Sequence, residues 1–342
     1  MTNYVLTLAV YFFVELILVL SANLQLGLLG MANLGFVLFL GMGAYTTAIF
    51  SMGPATSASL QHYFFGAALP FPIPLLLAMA VGAALGLVMG LISLYRMRGH
   101  YLAILTLAML TIVWTLVDGF PGFLGGENGL DAIPQPLSSL TSSYDGYQVI
   151  FLCLSAFICI LCFWFNERFF KSPLGRIAKA IRENEAAATT LGINPFKIRL
   201  LAMVCGSAMA ALAGGLLAEY VTVWGMQPWS YAEVFPATAA MIIGGRANNW
   251  GAALGTFATF VVVGQGISFL PGFSNNPQLS YAIQWIIYGV ALVAFLWFRP
   301  RGLIPEPKTR WNRPPSSLAR ATASASFNGE VTVQKAVVDA HE

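Results

Sequence analysis

Glu15 and Glu219 stand out as carboxylates inside long apolar runs of this 342-residue chain. Carboxylates at such positions are costly, and in coupled carriers they form proton or ion relays. Two of them on separate runs, with no histidine or lysine close in sequence, are a poor relay. Glu15 suits pairing with a donor between helices. Glu219 lies near the end of its run, where it is expected to reach water. The four cysteines, Cys153, Cys159, Cys162 and Cys205, also sit in apolar runs, without the spacing to histidines that zinc requires. No glycine-rich phosphate loop of the GxxxxGK[ST] kind occurs. The chain is therefore expected to bind no cofactor, to hold no metal and to catalyse nothing itself. Energy for any work it does must come from elsewhere.

Composition says where such a chain lives. Hydrophobic residues make up 58% and charged residues 9%, against roughly 25% charged in soluble domains. A net charge of +3, held in a few clusters, excludes nucleic acid as a partner and leaves membrane lipid as the expected one. The fold class is an all-α polytopic membrane protein with about 8–10 spans. Nine segments reach or approach the ~20 apolar residues a spanning helix needs: 4–22, 24–50, 70–93, 101–117, 147–166, 200–220, 231–244, 251–270 and 281–298. The second, with Asn33 and several glycines, and the seventh, short and holding Pro236, are the two expected to be broken or re-entrant. Gly82, Gly86 and Gly90 recur every four residues, a spacing that lets helices approach closely.

Lysine and arginine set the orientation. They are absent from residues 1–95 and 99–167 and cluster at Arg96 and Arg98, from Arg168 to Arg199, and from Arg299 onward. These regions are expected to be cytoplasmic, with the C-terminus inside. The loop 118–146 has four acidic residues and no basic ones, and belongs outside. Its Glu127 and Asn128, in a glycine-rich stretch, could meet an external partner. Polar or small residues within the spans, Asn33, Gly35, Thr46, Thr106 and Thr111, are the candidates to line a path. The chain divides into a membrane domain, 1–306, and a polar tail, 307–342, whose Pro/Ser/Ala/Thr composition suits disorder.

The loop 167–199 is long for such a protein and helical in character. Ser172-Pro173 is a helix start. Ile177, Ala180 and Ile181 share a face, and a second short helix over Glu185 to Leu191 ends at Gly192. Basic residues alone would suit contact with anionic lipid. A short helix of small residues suits insertion into a groove on a protein.

At this loop the chain resembles the permease subunits of bacterial ATP-binding-cassette importers, which carry a glutamate-alanine-alanine motif followed by glycine. Here Glu185-Ala186-Ala187-Ala188 precedes Gly192 with one extra alanine, so Ala187, Ala188 and Gly192 keep the family spacing and Glu185 does not. Further stretches are similar to the branched-chain amino acid permease family, in particular its LivM-type subunit: Gly41-Met42-Gly43-Ala44-Tyr45, Arg98-Gly99-His100-Tyr101, Gly125-Gly126-Glu127-Asn128-Gly129, Ser172-Pro173-Leu174-Gly175-Arg176, Ile243-Gly244-Gly245 and Arg299-Pro300-Arg301-Gly302-Leu303. One departure is Phe36, after Gly35, where the family usually has a polar residue.

The resemblance implies a permease of an ATP-driven importer in the bacterial inner membrane. Its partners would be a sister permease subunit, two cytoplasmic ATPase subunits that use ATP and Mg, and a periplasmic substrate-binding protein. The cargo would be branched-chain amino acids, with urea, short amides or other amino acids as alternatives. The ATPase-docking set would be Gly175, Arg176, Arg182, Glu183, Glu185, Ala187, Ala188 and Gly192. Glu127 and Asn128 would face the binding protein. An ATP-independent channel or facilitator is the competing reading.

Overall fold

The computed structural model describes residues 2–54, 65–96, 100–141, 143–264, 277–299 and 301–306. The tail 307–342, the Arg98-Gly99 pair, Pro300 and the end of the eighth apolar segment, 265–270, lie outside the described residues, as does the Glu127 side chain.

The chain is helical. Helix α1 (Thr2–Ala22) runs on through a π-helical turn at Asn23–Leu28, and the chain breaks before α2 (Phe36–Ser51). Then come α3 (Ile73–Arg96), α4 (His100–Gly119), the single turn α5 (Pro121–Leu124) and α6 (Tyr144–Lys171). Two short helices follow, α7 (Pro173–Glu183) and α8 (Glu185–Thr190), and then α9 (Pro195–Val221). The last group is α10 (Val234–Gly244), α11 (Asn249–Thr256) with a π-helical continuation at Phe257–Val263, and α12 (Pro277–Phe298). Among the described residues, five helices are long and apolar enough to cross a membrane, Asn3–Leu28, Ile73–Leu94, Tyr101–Gly119, Asp145–Lys171 and Pro195–Val221. Four shorter apolar helices, Phe36–Ser51, Tyr231–Gly244, Asn249–Val263 and Ala282–Phe298, accompany them.

The second apolar segment is divided. Its first residues belong to the first helix, because the π turn carries that helix to Leu28, and the break falls between Gly30 and Gly35. The seventh is short as well. The 11 residues of α10 rise about 16 Å, roughly half a hydrocarbon core.

Helix α9 is the centre of the bundle and packs on α1, α2 and α3. Glycine makes this possible. A Cβ at Gly214 would fall on the Leu40 carbonyl of α2, and one at Gly43 on the Ala211 carbonyl of α9. Gly82 and Gly86 of α3 meet Ala211 and Ser207, and Gly90 meets Leu200, so the four-residue glycine stripe is a packing seam. Lipid offers no hydrophobic drive between helices, and such close backbone contact supplies dispersion instead. The α10–α11 hairpin uses the same device, with Gly255 against the Ala240 carbonyl and Gly251 near that of Gly244. Ile104, Phe157, Ile160, Val290 and Trp297 point outward and are exposed, as suits a face in contact with hydrocarbon.

At one end, loops close over the bundle. Leu130 and Trp224 pair as an antiparallel bridge, and Trp224 and Trp229 are buried around Tyr45. At the other end sit α7, α8 and the C-terminal strap, residues 301–306.

Candidate functional site

The candidate site is built at the end that carries the basic loop. Three local signals shape it. Ser172 caps α7, its hydroxyl accepting from Gly175 N at 3.2 Å, with Pro173 in the first turn. Asn184 caps α8, accepting from Ala187 N at 3.0 Å. Gly192, at φ +80°, ends α8: its N–H donates to Thr189 O at 3.0 Å and that of Ile193 to Ala188 O at 3.2 Å. Those two bonds are a Schellman motif, which needs a left-handed residue and so favours glycine.

These helices divide into a seated face and an open one. Gly175, Ala178, Ile181 and Ala188 are buried, and Ala178 packs with Leu24, Leu28, Phe169 and Phe170. Arg176, Glu183, Ala186, Ala187, Gly192 and Leu191 are exposed, Leu191 at 80%. Glu185 is held by Arg199 through two bonds of 3.0 Å, so its carboxylate braces α8 against α9. The extra alanine noted in the sequence leaves the small exposed face intact.

Arg182 turns inward. It donates to Gly27 O at 2.8 Å, on the π turn of the first helix, and to Glu306 Oε2 at 2.6 Å. Lys179 meets the other Glu306 oxygen at 2.7 Å. Gly30 makes room for it, since a Cβ there would lie 2.9 Å from Arg182 Cγ. Burial alone would raise the Glu306 pKa, but hydrogen bonds from Lys179 and Arg182, with their charges, hold it below its ordinary 4.5. A depressed carboxylate adds stability above its unfolded pKa and loses it as pH falls through the folded one. This brace is therefore fully made at neutral pH and is released only below 4.5.

Glu306 ends a strap anchored on α10. Leu303 N donates to Ile243 O at 2.8 Å, Ile304 N to Gly244 O at 2.9 Å, and Asn248 Nδ2 to Pro305 O at 3.1 Å. The strap turns at Gly302, φ +73°, where a Cβ would lie 2.5 Å from Gly245 Cα. Beneath it, Asn23 of the π turn accepts from Ala247 N at 2.9 Å and donates to Asn249 at 3.2 Å, and Asn249 donates to Glu167 at 3.0 Å. One connected polar seat thus joins α7, the first helix, the α10–α11 hairpin and the end of α6.

Three of the five path candidates come together at the break between the first two helices. Asn33 donates to Gln25 Oε1 at 2.5 Å and accepts from Gly35 N at 2.8 Å, while Leu34 N donates to Thr106 Oγ1 at 3.0 Å. Thr46 and Thr111 lie elsewhere and bond back to their own helices, at Met42 O and Leu107 O. Phe36, beside this cluster, is buried in the core. At the end opposite the basic loop Asn128 is exposed in the turn Gly126–Asn128. Glu219 is not exposed as expected: it is 2% exposed, and its Oε2 meets no donor among the described residues.

Sequence reading passed over Glu306, Lys179, Gly27, Asn23, Asn249 and Leu191. Asn23 and Asn249 gave a signal, as amides at the edges of apolar runs. Glu306 gave none, eight residues past the last apolar helix among ordinary tail residues.

Residues 4–296 match the family described as "Branched-chain amino acid transport system / permease component". The chain belongs to that family. The permease is 31% identical over 313 residues to the high-affinity branched-chain amino acid transport system permease protein LivM of Salmonella typhimurium, covering 85% of this chain and 68% of that protein. The Escherichia coli LivM protein matches equally, at 31% over 314 residues with the same coverage. The Bacillus subtilis guanosine ABC transporter permease protein NupQ is 26% identical over 293 residues, 78% of this chain and 84% of that one. No solved structure gives a significant match. The permease is a transport subunit rather than an enzyme. Among the described residues, no three His, Cys, Asp or Glu side chains gather where they could hold a metal.

One prediction follows from the open face. Leu191→Glu is expected to leave the permease folded, since that side chain touches solvent, yet to cut co-purification of ATPase subunits by at least tenfold. Affinity pull-down from detergent extracts measures this. Normal recovery of the ATPases would remove Leu191 from the docking face.

Proposed function

We propose that this permease moves branched-chain amino acids inward across the bacterial inner membrane as one half of an ATP-driven importer. Its partners are a sister permease, two cytoplasmic ATP-binding subunits that use ATP and Mg, and a periplasmic binding protein. The membrane domain is 1–306, the C-terminus is cytoplasmic, and 307–342 is a polar tail by composition.

The observation that carries this reading is α8, a capped helix of small residues seated on one side and bare on the other. In water, an 80% exposed Leu191 beside Ala186 and Ala187 is a surface made to be covered by protein. The helix is too short to hold itself by propensity. It is held instead by its caps and by the Arg199–Glu185 pair, which pre-organises the face for a partner. The docking set is Gly175, Arg176, Arg182, Glu183, Glu185, Ala187, Ala188 and Gly192. Of these, Gly175, Arg182, Glu185 and Ala188 shape the face, and Arg176, Glu183, Ala187 and Gly192 present it. Asn33, Gly35 and Thr106 line the substrate path at the helix break, and Glu127 and Asn128 meet the binding protein.

Uptake into proteoliposomes tests the function. Vesicles hold both permeases and both ATPases, with ATP inside and loaded binding protein outside, and leucine, isoleucine, valine and urea are compared. Uptake of the three amino acids that needs both ATP and binding protein is the expected result. Urea uptake alone would reassign the cargo. Uptake by this chain without partners would leave a channel.

A further inference from the structure

A cavity of about 330 Å³ opens at the outer end of α9, within the range of small-molecule sites. Its polar wall consists of Glu219, Ser51, Gln135 and Ser138. Glu219 is 2% exposed, and its Oε2 has no hydrogen-bond donor among the described residues. A buried carboxyl oxygen without a partner is destabilising, and evolution seldom leaves one unless something else fills the place.

The Gln135 carboxamide and the Ser138 hydroxyl could donate as well as accept, but neither reaches Glu219 Oε2, and the remainder of the wall offers little else. Pro70, Pro74, Pro134 and Pro136 line the cavity and have no N–H. The N–H groups of Ala68 and Leu69 are committed to Met52 O and Phe50 O at 2.8 and 2.9 Å. The Ser51 hydroxyl bonds Ala48 O at 3.0 Å. Among the described residues, no lysine, arginine or histidine lines the cavity. Among the described residues, the one ionisable group of the cavity is thus the Glu219 carboxyl, with neutral oxygens around it. That chemistry accepts a cation with several N–H bonds and rejects an anion.

We infer that this cavity is an outer-side binding site for a primary ammonium group, the α-ammonium of the amino-acid cargo, with Glu219 as its counter-ion. The assignment of the ammonium to cargo rests on the function proposed above; the site's selectivity for ammonium does not. Three N–H donors on one nitrogen fit a carboxylate and neighbouring oxygens. The cargo carboxylate would be left outside the acidic pocket, so the site orients the zwitterion as it arrives.

The test uses the whole importer in vesicles. With Ser51→Cys, labelling rates are compared for a methanethiosulfonate bearing ethylammonium and one bearing ethylsulfonate, each corrected by its rate with a free thiol and by vesicles lacking the new cysteine. The expected result is at least tenfold preference for the ammonium reagent, slowed by isoamylamine but not by 4-methylpentanoate, and lost when Glu219→Gln is added. A corrected ratio near one with Glu219 present, or equal protection by the amine and the acid, overturns the site. Leucine uptake by Glu219→Gln is then measured: a tenfold or greater rise in KM, with ATP hydrolysis still stimulated by loaded binding protein, ties the site to cargo. Unchanged leucine kinetics despite the labelling preference overturns that tie. If the wild-type importer carries no amino acid, the cargo reading fails while the labelling result stands.

Discussion

Glu306→Lys is expected to stop ATP-driven uptake, by tenfold or more, while the permease still reaches the membrane and still binds its ATPases. The reason lies in what Glu306 joins. It accepts from both Lys179 and Arg182 of α7 at 2.7 and 2.6 Å, and it closes a strap whose other end is fixed on α10. Each charge-assisted bond of this kind is worth about 1.5–3 kcal/mol. Side chains here are about one-quarter exposed, so screening reduces those values. Reversal does more than remove the bonds. It sets three cations together, and Arg182 must leave, which also frees Gly27 O on the π turn. Movement of α7 would then no longer reach the first helix or the α10–α11 hairpin. The open face of α8 is unaffected, because its own braces are Asn184 and Arg199.

Uptake and ATP hydrolysis measured on the same vesicles separate this from misfolding: hydrolysis should persist as uptake falls. Glu306→Asp should recover part of the uptake, and Lys179→Glu added to Glu306→Lys should recover some by restoring one pair. Normal uptake in Glu306→Lys would mean that the strap carries no motion.

The sequence was most informative where structure is local. Ser172-Pro173 and Gly192 are start and stop signals with a mechanism in the backbone, and they placed α7 and α8 before any packing was known; the Asn184 cap between them went unread. Apolar length found the long helices for the same reason. The polar seat was illegible because its bonds join residues far apart in sequence: Asn23 with Asn249, Gly27 with Arg182, and Arg182 with Glu306. The boundary after the first helix was misplaced by a related cause. Asn23 and Gln25 look like residues that end a span, but both are buried, and partners from other elements let the helix continue past them as a π turn. Glu219 was read as wet from its place near a helix end. The loop 134–138 and the segment 68–71 roof it over, which no pattern along α9 could announce.

Gly214→Val is expected to abolish folded permease, whereas Gly289→Ala should be tolerated. Both glycines lie in apolar helices, so composition alone does not separate them. A Cβ at Gly214 would fall on the Leu40 carbonyl oxygen, with Leu40 C at 2.7 Å and Cα at 3.0 Å. All three neighbours are backbone atoms of α2, so no rotamer change relieves the clash and the two helices must separate. Overpacking commonly costs about 1–3 kcal/mol where side chains can adjust, and here they cannot. Separation would also unseat Gly43 from Ala211 and Gly41 from the Trp229 ring, because α2 moves as a unit. At Gly289 on α12 no atom of another described element lies within 4 Å of the added carbon, and alanine improves helix propensity by up to about 1 kcal/mol. Membrane yield and monodispersity in detergent compare the two variants. A folded Gly214→Val protein with an unshifted melting temperature would show that α2 and α9 do not need backbone contact, and with it would fall the account of why this bundle is so rich in glycine.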